Sequence, residues 1–174
     1  MSDEALSALI EAYLRAPDDT NRRAVRDVLA SRGNYDPEIS VARIAAPYLS
    51  KKSYADLIQH VLDLMPGAML SPSAHQLLAE AYTQLGDGRA AKHQETLAEL
   101  SMQAVLSSGS GTAAEPWSVL RVSDEQDVLA HFGHTSEHLR YEERDGRLLD
   151  VHLADDGRKV WFDVSLLQEA SLTA

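Results

Sequence analysis

The chain contains no cysteine, which excludes disulfides, thiolate metal sites and a cysteine nucleophile and makes a reducing compartment its natural setting. Aromatic residues are sparse, with 2 Phe, 2 Trp and 6 Tyr, so a large aromatic core is not expected. No apolar run approaches the roughly 18 residues that a membrane helix requires. The opening Met1-Ser2-Asp3-Glu4 is acidic where a secretory leader is basic. These absences read as a soluble, cytoplasmic protein without a membrane partner.

Positive charge is also scarce. The formal net charge is −11, and it is unevenly spread. Residues 1–106 hold 14 acidic side chains against 10 basic ones, a balance of −4, whereas residues 107–174 hold 13 against 6, a balance of −7. Such a surface repels phosphate backbones and anionic lipid, so nucleic acid is not an expected partner, while a protein with a basic surface would be steered toward it. The same acidity also serves plain solubility.

What is present is helical periodicity, then strand periodicity. Leu6, Leu9, Ile10, Tyr13 and Leu14 form one apolar stripe that Pro17 stops. Thr20 is the expected cap of a second helix with Val25, Val28 and Leu29 on its buried face and Arg22, Arg23 and Arg26 in solvent. A turn at Asn34-Tyr35-Asp36-Pro37 opens a third, which Pro47 should end or kink. Ser53 opens a fourth, Pro72 a fifth and Gly86-Asp87-Gly88 precedes a sixth, which runs to Ser107.

Residues 107–116 are rich in Gly, Ser, Thr and Ala and read as a linker. The loop follows a helix and lacks the lysine of a phosphate-cradling loop. Beyond it a strand over 117–122 and a short helix over 123–132 precede a change of period to two. Leu139 and Tyr141, then Leu149, Val151 and Leu153, then Val160, Phe162 and Val164 alternate, with Asp145-Gly146 and Asp156-Gly157 as tight hairpin turns between them. The expected fold is α+β: tetratricopeptide-like antiparallel hairpins over 1–106, the linker, and a small unit over 117–174 with an antiparallel meander and one short helix.

The order Leu78, Ala79, Tyr82, Gly86, Ala91, Ala98 fits one tetratricopeptide unit, with small residues where paired helices approach most closely. Taken with Asn34-Tyr35-Asp36-Pro37, the Ala81–Asp87 helix end, the Leu106–Gly111 exit, the Val119–Glu125 run and Trp161-Phe162-Asp163-Val164, the chain resembles the bacterial domain-of-unknown-function family 4919. The resemblance implies a fold and no reaction. It also brings an association with small acidic immunity proteins that accompany secreted toxins.

No Gly-x-Ser-x-Gly elbow is present, and no cofactor is expected. His131, His134 and His138 have ligand-like spacing, although Gly133 interrupts the helix that would align them. The leading expectation is a non-enzymatic protein-interaction module, in its sharper form an immunity protein or antitoxin that binds a basic toxin directly. Partner-binding candidates are Gln76, Glu80, Thr83 and Gln84 on the groove face of the best helical unit, and Glu142, Glu143, Asp155 and Asp156 in the meander. The alternatives are a small hydrolase or metal-dependent enzyme using the three histidines, and a scaffold that acts through an edge strand. The sequence leaves the oligomeric state open.

Overall fold

A computed structural model describes residues 3–16 and 18–167. Pro17, the expected stop of the first helix, and the last seven residues of the tail lie outside the described residues. The fold is α+β. Six helices come first: α1 (Asp3–Arg15), α2 (Asp19–Ala30), α3 (Val41–Lys51), α4 (Tyr54–Asp63), α5 (Pro72–Gln84) and α6 (Gly88–Leu106). They are followed by β1 (Trp117–Ser118), α7 (Val122–His131), β2 (Ser136–Arg144), β3 (Arg147–Ala154) and β4 (Lys159–Asp163).

Capping chemistry sets the helix starts. Asp18, not Thr20, caps α2 by accepting from the Asn21 amide, so a carboxylate satisfies an orphan first-turn N–H two residues before the expected hydroxyl. Ser40, Ser71 and Asp87 cap α3, α5 and α6 in the same way. Pro47 does not end α3, which continues to Lys51. The carbonyl that loses its proline-blocked donor belongs to Arg43 on the exposed face, where water can replace the lost bond.

The sheet order is β1-β4-β3-β2. Strands β2, β3 and β4 form the expected antiparallel meander, but β1 pairs parallel to β4 and covers only two residues of the expected 117–122 strand. The chain leaves the sheet there because Asp124 draws the Leu120 and Arg121 amides into the start of α7. Asp145 and Gly146 both take positive φ, of 52° and 72°, as a type I′ turn demands. The β3–β4 connection differs: only Gly157 is left-handed, and Ala154 and Arg158 close a longer loop through the Ala154 N–H to Arg158 O bond of 2.8 Å.

Four apolar clusters fill the interior. Val41, Ala45, Leu57, Ile58, Val61 and Leu78 join α3, α4 and α5. Two others draw on both sides of residues 107–116: Met102 and Val105 pack with Val119, Val128 and Phe162, and Leu6, Tyr13 and Leu29 pack with Leu120. The intervening loop is itself tied down. The Trp117 indole donates to Gly109 O at 3.1 Å and the Trp161 amide to Gly111 O at 3.0 Å. Gly111, at φ 70°, lies against the Trp117 ring, which leaves no room for a side chain there.

Candidate partner-binding site

In the register of the meander Asp150 pairs with Phe162 and Val151 with Trp161, so the two faces of β3 carry different chemistry. Leu149 and Val151 join Trp161 and Ala113 on the outer face. Asp150 and His152 share the inner face with Phe162, toward α7. A middle strand with polar residues at alternate inward positions must give each of them a partner. His152 Nε2 lies 2.5 Å from Glu125 Oε2 of α7, and its Nδ1 lies 2.8 Å from Ser136 Oγ. Asp150 is 4% exposed, and its Oδ1 has no hydrogen-bond partner among the described residues. Burial first, and then the neighbouring Glu125 carboxylate, push the Asp150 carboxyl up to about 7.

Strand β2 is the free edge of the sheet. Leu139 and Tyr141 sit across from His152 and Asp150 on the inner face, yet they are 42% and 77% exposed at the edge of the sheet. Below Tyr141 opens a cavity of about 350 Å³, lined by Glu38, Glu142, Glu143 and Asp150 around an apolar floor of Val122, Leu148 and Val164. Glu38 reaches it from the loop before α3, so both halves of the chain build this site. An acidic rim over an apolar floor suits a long cationic side chain, whose methylene stem is apolar and whose head is charged.

The sequence-predicted carboxylates fare unequally. Glu143 lines the cavity without an ion pair among the described residues. Glu142 also lines it but is bracketed by Arg140 at 2.7 Å and Arg144 at 3.7 Å. Asp155 pairs with His134 at 3.0 Å, and Asp156 is held by Arg158 and lies 3.7 Å from His134. These two sit at the far hairpin, where Arg158 and His134 already occupy them. His134, Asp155 and Asp156 are close enough to share an ion, but Arg158 Nη2 stands 2.5 Å from His134 Nε2. His131 and His138 are not part of that grouping; His131 sits edge-on to Phe132, and His138 is exposed on β2.

Nothing matches this chain in comparisons with family models, with curated proteins and with solved structures. The site therefore has to be read from its own chemistry.

On α5, Gln76, Glu80, Thr83 and Gln84 are all exposed. The start of the same face is covered: the Ser73 amide donates to Asp127 of α7 at 3.1 Å. Burial and then the nearby Asp124 carboxylate push Asp127 up to about 6. Ser136, His152 and Glu125 have the composition of a serine-hydrolase triad, but the acidic cavity does not include Ser136, which sits beside a register shift in β2. Sequence reading missed Glu38, Asp150, His152 and Glu125. The usable signal was Asp150 and His152 alternating with Leu149 and Val151 in the strand that two hairpin turns place at the centre of the meander.

The Arg22 and Arg26 side chains, expected in solvent, are each 4% exposed. They are enclosed because α2 packs its arginine face toward the small β unit: Arg22 and Arg26 share a cavity with Ser118 and Asp163.

Proposed function

We propose that this chain is a non-enzymatic protein-interaction module that binds a basic partner through the free edge of its sheet, as an immunity protein neutralises a cognate bacterial toxin. The observation that carries this reading is the acidic cavity under Tyr141. It lies beside a nine-residue strand whose outer backbone is unpaired within the sheet. An extended segment of the partner would add to β2 through main-chain hydrogen bonds and lower a lysine or arginine toward Glu38, Glu143 and Asp150. The −7 balance of residues 107–174 supports the same reading.

The test is co-expression with the product of the adjacent gene, followed by affinity measurement at low and at high salt. The expected result is a complex that weakens with salt and loses about tenfold or more in affinity on Glu143→Lys, since reversed charge at such an interface costs affinity and association rate alike. A complex indifferent to Glu143→Lys and Tyr141→Ala, or no complex at low salt, counts against it.

A further inference from the structure

The backbone parity of the edge strand β2 follows from the rest of the sheet. The Val164 amide donates to Leu148 O at 2.9 Å and the Leu148 amide to Ser165 Oγ at 3.1 Å, so Leu148 turns its backbone toward β4. Arg147, Leu149 and Val151 therefore turn theirs toward β2, where they face Arg144, Glu142 and Arg140. The intervening Leu139, Tyr141 and Glu143 direct their N–H and C=O groups out of the sheet. Side chains divide in the same alternation. Arg140, Glu142 and Arg144 stand on the outer face, where Arg140 and Glu142 already pair along the strand at 2.7 Å. Arg144 lies 3.7 Å from Glu142 and 5.0 Å from the Trp161 ring centre. Tyr141 stands on the inner face and is the most exposed large hydrophobic side chain among the described residues.

We propose that β2 is a self-association edge, on which a second copy of this chain pairs antiparallel and makes the sheet continuous across a dimer. Two copies of one strand related by a two-fold axis place one residue opposite itself and pair its neighbours crosswise. With Tyr141 at the axis, Arg140 of each chain faces Glu142 of the other, and the outward backbone groups of Leu139 face those of Glu143. The existing Arg140–Glu142 pairs stay intact: laid side by side in opposite directions, they form a ring of alternating charges. The registers next to this one put Arg140 opposite Arg140 or Glu142 opposite Glu142, so charge selects the first. In that register Tyr141 packs against its own copy, which covers its exposed ring. The pairing does not rest on the basic-partner reading, although it uses the same edge, so the two occupants exclude one another. They respond oppositely to salt. Two chains of −11 repel at low ionic strength and screening removes that repulsion, whereas screening weakens attraction to a basic partner.

The experiment is sedimentation equilibrium of the full chain at low and at high salt. Arg140→Glu and Glu142→Arg are measured separately, as the double variant, and as a mixture of the two single variants. Reversible dimerisation that strengthens with salt is expected of the natural chain. Each single reversal puts like charges opposite one another on both sides of the axis and should weaken dimerisation about tenfold or more, while the double variant regains it. In the mixture, the acids at 140 and 142 of one variant face the arginines at 142 and 140 of the other, so a heterodimer should form where neither variant dimerises alone. A loss caused by misfolding would not be regained in this way. A monomer at every salt concentration, single variants that dimerise as the natural chain does, or a mixture that stays monomeric overturns the inference. Capture of a basic partner by a chain that is otherwise always monomeric overturns it too, and leaves the proposed function intact.

Discussion

The packing of α3, α4 and α5 and the seam where the start of α7 meets the α2–α3 and α4–α5 loops are both buried, but they are held by different forces. The first is aliphatic, built from Val41, Ala45, Leu57, Ile58, Val61 and Leu78. The second is charged. Arg121, fully buried, donates to Gly67 O, lies 3.7 Å from Asp124 and stands 5.8 Å from the Tyr35 ring centre. Burial raises the Asp124 carboxyl, and the Arg121 guanidinium and two amide donors oppose that rise. Apolar contacts are non-directional and degrade gradually when atoms are removed, whereas a buried charge network tolerates no half-measures.

The largest effect should therefore come from halving the charged seam. Arg121→Ala is expected to cost about 3–5 kcal/mol in urea unfolding, because it strands Asp124 in the interior. Leu57→Ala, a cavity mutation in the aliphatic packing, should cost about 2–5 kcal/mol. The comparison sharpens with the double change Arg121→Met/Asp124→Leu, which removes both charges and should recover most of the loss. A double variant as unstable as Arg121→Ala would mean that the hydrogen bonds to Gly67 and to the α7 start matter more than the charge balance.

The next effect is a pH dependence that comes from buried carboxyls on β3 and α7 and not from the aliphatic packing. The Asp150 carboxyl titrates at about 7 in the folded chain against an ordinary 3.8, and Asp127 at about 6. Raised folded values mean that the folded chain holds protons the unfolded chain has released. The contribution is thus fully present below about pH 4 and is lost as pH rises through 6 and 7. Unfolding free energy should fall between pH 5 and pH 8, and Asp150→Asn should flatten that slope and add about 1–2 kcal/mol at pH 8. A steeper slope in the variant would contradict the raised Asp150 value. Binding of a lysine or arginine in the cavity favours the ionised carboxylate, so a basic partner should bind more tightly at pH 8 than at pH 5.

What the sequence revealed follows the same division. Period 3.6 in α1, α4 and α5 and period two in β3 and β4 reflect burial of apolar side chains, and burial leaves a pattern that one chain shows by itself. The turn residues Asp145-Gly146 were legible because only a few residue types accept positive φ. Glu38, Asp150 and Arg26 left no such pattern. Their significance lies in which distant segments meet: Glu38 with the β2–β3 hairpin, Arg26 with Asp163. Asp155 and Asp156 looked like free charge because the sequence does not show that Arg158 and His134 fold back onto them.

The smallest effects should be local to the helices, where one cap can be lost without disturbing its neighbours. Asp18 accepts from the Asn21 amide at 2.9 Å, whereas Ser53 at the start of α4 makes no side-chain capping bond. Asp18→Ala should cost about 1 kcal/mol, and Ser53→Ala close to nothing, by thermal or urea unfolding. Both substitutions empty an N-cap position, but only Asp18→Ala takes away an acceptor from an orphan N–H and a negative charge from a helix N-terminus. Equal losses would show that α4 depends on Ser53 through some contact other than its cap. A loss at Asp18 approaching that of Arg121→Ala would show that the helical half is as intolerant of a missing polar group as the seam.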